Sequence, residues 1–197
     1  MKNLVTTLVF SLLVSAGAFA EDVNAVFKRV NELVAAKNYP KALEELGRAR
    51  EDIEKLHLAR LQGYLPDAVV GYAASPPASQ SALGILSVER VYTKGASILK
   101  LAIRAGTIGG GQGSFGSIAQ LGRMAALMGS QSGRAAIQIG GRPAVFKDRG
   151  GKNDLMIFLE SGTIVTVEGG AASTNDEMRG FAEALNLSEL DRYLSAQ

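Results

Sequence analysis

The apolar residues change from helical spacing to strict alternation near residue 85, and this change constrains the fold more than any other feature. Between residues 23 and 61 they recur at the spacing of one helix face. Between residues 96 and 105 they alternate with polar or small residues, as in a half-buried strand. The sequence therefore predicts an N-terminal helical part followed by a sheet.

Short turns indicate how the strands pair. Strands joined by only a few residues pair antiparallel. The run 155–159 has no polar alternation, which predicts a central strand covered on both faces. Helices are predicted at 115–128 and from Thr174, which has capping-box spacing to Glu177, with a last turn from Ser188. The predicted strands are 88–92, 96–105, 135–139, 143–147, 155–160 and 164–168.

These elements place the chain in the α+β class, as a helical hairpin followed by an antiparallel sheet of about six strands with helices packed on it. The hairpin is predicted at residues 21–61, with a break at Asn38-Tyr39-Pro40. Residues 62–84 have no period and contain Pro76-Pro77, which indicates a linker. The sheet domain is then expected at 85–197.

Residues 1–20 have the order of a secretory signal peptide. Lys2 precedes an apolar run from Leu4 to Val14, and small residues end the segment at Ala20. The run is about half of the roughly 20 residues that a membrane-spanning helix needs. We expect cleavage after Ala20 and a periplasmic or secreted protein that does not span the membrane, with an uncleaved anchor as the alternative.

The residues that carry most enzyme chemistry are scarce. Cysteine is absent and His57 is the single histidine, so disulfides, thiol chemistry and the usual zinc, copper or haem sites lack their ligands. The serines at 114, 117 and 132 are not in a nucleophile elbow, and His57 is expected to be solvated or to cap the second helix. We therefore predict a protein that is not an enzyme and has no cofactor or metal.

Two patterns favour catalysis or cofactor binding only superficially. Gly111-x-Gly113-x-x-Gly116 has dinucleotide-loop spacing, but the surrounding strands read as antiparallel and no acidic residue follows about twenty positions later. Glu160 and Glu168 could lie on adjacent strands as a carboxylate pair for glycoside hydrolysis. A flexible glycine-rich connection and solvated strand ends are the simpler interpretations.

The most suggestive binding feature is basic. Residues 89–152 hold ten basic and two acidic residues, whereas residues 153–197 hold two basic and eight acidic ones. A surface containing Lys100, Arg104, Arg134 and Arg142 could bind an anionic partner such as an acidic protein, a glycan or lipid headgroups. Nucleic acid is not expected, because aromatic residues are sparse. The alternative is that the two segments neutralise each other or that the basic residues form an ordinary solvated sheet face.

The order of Leu65-Pro66, Gly71-Tyr72, the hairpin and the turn from Ile139 to Ala144 resembles that of a group of uncharacterised exported bacterial proteins. In that group a helical part precedes an "LP…GW"-like segment and a small α+β domain. Tyr72 stands where the group has tryptophan. The resemblance implies a fold and export but no site residues.

We therefore predict a non-catalytic envelope protein that acts by binding a protein or a ligand. The alternative is a carrier of a small apolar or amphiphilic ligand held between the sheet and its helices, with residues 106–116 as a gate. A hydrolase with an unusual site is the third possibility. The sequence does not identify the partner.

Overall fold

The computed structural model describes residues 23–82, 85–106, 124 and 137–195. The predicted helix at 115–128, apart from position 124, falls outside these ranges. The same is true of the Gly111–Gly116 motif, of Arg134 and of the proposed gate at 106–116 beyond position 106. The chain divides into two units, residues 1–56 and 57–197, and the division falls within the second helix.

The first unit contains the predicted helical hairpin. Helix α1 spans Val23–Ala35, and helix α2 begins at Tyr39 after a short connection and continues to Gln62. The two helices are antiparallel, and their seam is formed by Val26 and Val30 against Ala42 and Ala49. Small alanine side chains on α2 allow the helices to approach closely, so the seam buries few atoms.

Helical spacing places five large apolar residues on one side of α2: Leu43, Leu46, Ile53, Leu56 and Leu61. Leu61 is buried, whereas the other four stay 39–68% exposed. The seam with α1 uses the smaller Ala42 and Ala49. Helical periodicity shows that a face is apolar, but it does not show what covers that face.

The second unit is built on one antiparallel sheet of nine strands within the described residues. Its main path runs β1-β2-β4-β5-β9-β8-β7-β6, and β3 also pairs with β4. The strands are β1 (Ala68–Val69), β2 (Tyr72–Ala74), β3 (Ala78–Ala82), β4 (Ile85–Lys94), β5 (Ser97–Gly106), β6 (Ile137–Ile139), β7 (Arg142–Asp148), β8 (Asn153–Phe158) and β9 (Ile164–Gly169).

The sheet confirms the α+β class and all six predicted strands, and it is larger than predicted. The segment 62–84 was expected to be a linker, but it contributes β1, β2 and β3. Its small and polar residues carry no alternating apolar pattern. They form strands because β2 and β3 pair in succession with the edge of β4, through main-chain hydrogen bonds.

Strand β8 has the central place that its composition predicted. It pairs with β7 on one side and with β9 on the other. Leu155 and Ile157 face the main core, whereas Phe158 packs with Ile164 in a smaller cluster on the opposite face. An apolar residue is therefore favoured at nearly every position of this strand.

Two helices near the C-terminus cover the main-core face of the sheet. Helix α3 (Asn175–Glu183) begins with the predicted capping box, in which Thr174 and Glu177 bond reciprocally. Helix α4 (Leu187–Ser195) follows after a short connection. Phe181 of α3 places its ring edge-on to Tyr72 at 5.6 Å and to Tyr92 at 4.8 Å between centroids.

Candidate functional site

Lys100 and Arg104 do share one face of β5, as the alternation predicted, but acidic residues lie among them. Lys100 Nζ is 3.0 Å from Glu168 Oε2 and 3.5 Å from Glu89 Oε2. Arg104 Nη2 is 3.2 Å from Glu168 Oε1. Glu168 lies directly opposite Lys100 on β9, so strand register brings these charges together.

The same face continues onto β8 with a further ion pair. Arg149 Nε is 3.1 Å from Asp154 Oδ2, and its Nη2 is 3.8 Å from Glu168. Burial raises the pKa of Glu168, but hydrogen bonds from Lys100 and Arg104 outweigh that effect and hold the pKa below its ordinary value. On this face Lys100, Arg104 and Arg149 are therefore each paired with a carboxylate and do not form a free cationic surface.

Arg142 belongs to a different cluster. Its Nε lies 3.1 Å from Asp191 Oδ2 on α4, and its Nη1 donates to the main-chain oxygen of Gly140 at 2.9 Å. The structure thus brings together Lys100 and Arg104 but does not add Arg142 to them. Arg142 fixes α4 to the turn between β6 and β7.

Asp191 is the buried centre of that second cluster, and no motif or spacing in the sequence predicts its role. It is 5% exposed and accepts the main-chain N–H groups of Glu160 and Ser161 at 3.2 and 3.0 Å. Burial raises its pKa, yet these two N–H groups and Arg142 together lower it below the ordinary value. The cluster has a structural role, because the partners of Asp191 are two main-chain N–H groups of a turn and the guanidinium of Arg142.

The segments Leu65-Pro66 and Gly71-Tyr72 are likewise held by hydrogen bonds within the protein. Arg90, which is 9% exposed, donates to the main-chain oxygen of Leu65 at 2.6 Å, and Tyr92 donates to that of Pro66 at 3.0 Å. Tyr72 is buried, with its hydroxyl 2.9 Å from Ser97 Oγ. These residues hold the chain between α2 and β1 against β4.

His57 is buried, contrary to the expectation that it is solvated or caps α2. It is 6% exposed, and its Nδ1 is hydrogen-bonded to the Tyr193 hydroxyl at 2.7 Å. The two rings are stacked with centroids 5.5 Å apart. The sequence separation of these partners explains why spacing alone could not reveal the pair.

An open cavity of about 260 Å³ lies beside this pair. It is lined by Arg60, Tyr64 and Pro66 from the end of α2 and the segment after it, and by Ala184, Asn186 and Glu189 from the start of α4 and the residues before it. The Arg60 guanidinium lies over the rings of Tyr64 and Tyr193, at 5.5 and 5.7 Å from their centroids. We call this the Arg60 cavity.

One small cavity lies between the sheet and α4. It is bordered by Leu101, Ile103, Val165 and Leu190 and measures about 10 Å³. A single water molecule needs roughly 10–15 Å³ by this measure. This cavity is therefore too small for the apolar ligand of the carrier hypothesis.

The carboxylates considered for glycoside hydrolysis are not brought together. Glu168 pairs with Asp154 at one end of the β8–β9 hairpin, whereas Glu160 lies in the turn beyond Phe158 at the other end. The four residue steps from Ile164 to Glu168 separate the two ends by roughly 13 Å along an extended strand. In the part of the chain that the structure describes, no three His, Asp or Glu side chains cluster as metal ligands would.

Among the described residues, the hairpin carries the largest set of exposed large apolar side chains. Phe27 and Leu43 directly follow seam residues, and Val34 follows Leu33, which is partly buried against the seam. All three therefore turn to the same side of the antiparallel pair. Tyr39 and Leu46 lie four residues before and three after Leu43 and share its side. These five residues, which we call the hairpin face, are 39–68% exposed.

The other side of the hairpin seam is polar. Arg29 Nη1 of α1 is 3.4 Å from Glu45 Oε2 of α2, and Arg48 approaches the same carboxylate at 3.5 Å. The hairpin is thus apolar on one side and ion-paired on the other.

Comparisons with protein-family models, with curated proteins and with solved structures found no match to this chain. Within the described residues, no helix has the length and apolar character required to cross a membrane.

Proposed function

We propose that the protein is exported and, without catalysing a reaction, binds another envelope protein through the hairpin face. The observation that carries this proposal is the exposure of five large apolar side chains on one side of a two-helix unit. Contiguous apolar patches larger than a few hundred Å² are rare on monomeric proteins and typically mark interaction surfaces. Export rests on the signal-like residues 1–20 and on the resemblance to exported bacterial proteins.

The shape and chemistry of the hairpin face favour a helical partner. Both helices contribute exposed apolar side chains to this face, and such a surface suits the apolar face of an amphipathic helix. The exposed aromatic rings of Phe27 and Tyr39 are the residue types that most often anchor interfaces. We infer that the partner presents apolar residues at helical spacing.

The observations do not favour an anionic partner bound at Lys100 and Arg104. Their charges are balanced by Glu89 and Glu168 within the sheet, so replacing them would break ion pairs instead of removing a free basic surface. The carrier hypothesis gains no support from the cavity beside Leu101 and Leu190, which has room for at most one water. Protein binding through the hairpin is the function that the described geometry supports best.

Site-specific photocrosslinking in living cells tests this proposal. A photoreactive residue at position 43 is expected to give a discrete crosslinked protein. The matched control is position 48, which is exposed on α2 and lies on the ion-paired side of the seam, opposite the hairpin face. Equal crosslinking at both positions, or none at position 43, would contradict the proposal.

A further inference from the structure

We infer that the Arg60 cavity is a binding site for a small zwitterion of the α-amino acid type. The inference is independent of the hairpin face, because the cavity lies wholly within the unit from His57 to Gln197. It rests on a cation and an anion that line the same cavity without pairing with each other.

The cationic side of the cavity is Arg60. Its guanidinium is held over two tyrosine rings, Tyr64 and Tyr193, and the side chain is otherwise exposed. Among the described residues, no carboxylate lies within 4 Å of it. The two ring contacts hold the guanidinium at the cavity, and a guanidinium presents its N–H groups in a planar fork that can receive a carboxylate in a bidentate manner.

The anionic side is Glu189, on the first turn of α4. Asn186 Nδ2 donates to its Oε2 at 2.7 Å, and this bond orients the carboxylate. The contact completes a reciprocal cap, since Glu189 N also donates to Asn186 Oδ1 at 3.2 Å. The cap uses one carboxylate oxygen, and the other oxygen can accept a hydrogen bond from an ammonium group.

The size of the cavity limits the ligand. Sites for drug-sized molecules usually measure roughly 300–1,000 Å³, so about 260 Å³ suits a smaller molecule. Between Arg60 and Glu189, the cavity wall includes Tyr64, Pro66 and Ala184, which supply apolar surface for the side chain of the ligand. A free amino acid combines these properties: a carboxylate for Arg60, an ammonium for Glu189 and a short side chain.

The binding test uses the purified protein and the common L-amino acids, titrated one at a time by isothermal calorimetry. Tyrosine fluorescence provides a second signal, because the chain has no tryptophan and two of its five tyrosines border Arg60. We expect saturable binding of at least one amino acid. The same amino acid blocked as its N-acetyl or its amide derivative is expected to bind at least tenfold more weakly.

Two substitutions and two matched controls locate the site. Arg60→Gln and Glu189→Gln are each expected to weaken binding at least tenfold, whereas Arg179→Gln and Glu183→Gln on exposed positions of α3 leave it unchanged. Circular dichroism of each variant shows whether the fold is retained. The inference is overturned if no amino acid binds at millimolar concentration, if the blocked derivatives bind equally well, or if folded Arg60→Gln retains full affinity.

Discussion

Asp191 accepts the main-chain N–H of Ser161 at 3.0 Å, and this bond ties α4 to the turn between β8 and β9. The same carboxylate accepts the N–H of Glu160 and pairs with Arg142. One buried acidic residue therefore joins the last helix to two turns of the sheet. Its removal would leave three donors without their partner.

Replacing Asp191 with Ala is expected to destabilise the protein by about 3 kcal/mol, because it leaves Arg142 and two buried N–H groups unsatisfied. Urea unfolding followed by circular dichroism measures the change. Arg192→Ala, on an exposed position of the same helix, serves as the control and should change stability by less than about 0.5 kcal/mol. Similar small effects for both variants would show that Asp191 is not the joint described here.

The stability of the protein is expected to fall in acid. The folded-state pKa values of Asp191 and Glu168 are both lowered, so each carboxylate contributes stability above its unfolded pKa, about 3.9 for Asp and 4.3 for Glu. That contribution is lost as the pH falls through the folded values. Urea midpoints between pH 7 and pH 3 should decrease most steeply below about pH 4.5. Asp191→Asn should flatten the decrease, and an unchanged profile would contradict the assignment.

Val70 is in an unfavourable backbone conformation. Its φ is 49°, a region that β-branched residues rarely adopt, and it precedes Gly71 in the two-residue turn between β1 and β2. Val70→Asn is expected to raise the stability by about 1 kcal/mol, since Asn-Gly suits a turn with two positive φ angles. Thermal unfolding checks this. A lower midpoint would mean that the Val70 side chain contributes packing that outweighs the strain.

The capping box formed by Thr174 and Glu177 stabilises the start of α3. Thr174→Ala removes the acceptor for Glu177 N and should cost about 1 kcal/mol. Thr174→Ser keeps the hydroxyl and should restore most of the stability, as measured by chemical denaturation. Equal losses for both variants would indicate that the methyl group of Thr174, and not its cap, is what matters.

The sequence predicted those parts of the fold that side-chain pattern controls. Strands β4 to β9 alternate or are uniformly apolar, and the cap of α3 has a fixed spacing, so each is visible without a structure. Strands β1 to β3 are held by main-chain pairing at an edge, and their small residues gave no periodic signal. Pattern predicts a strand where side chains are buried, and it misses one where only the backbone pairs.

The candidate sites follow the same logic. Alternation correctly placed Lys100 and Arg104 on one face, but the charge of that face depends on Glu168, whose position opposite Lys100 follows from strand register. The hairpin face could be recognised only from the seam, since periodicity places Leu43 on the same side of α2 as Leu61, and only Leu61 is buried. The Arg60 cavity unites residues more than a hundred positions apart, so no local spacing could reveal it.

The most direct test of the central claim is native mass spectrometry of the tagged protein, isolated gently from periplasmic extract after chemical crosslinking. The wild-type chain is compared with a Phe27→Ser/Leu43→Ser double variant, in which two exposed residues change and the seam stays intact. We predict a crosslinked complex with one other protein for the wild type and loss of that complex in the double variant. A bare wild-type protein, or the same complex in both samples, would contradict the proposal that the hairpin face binds a partner.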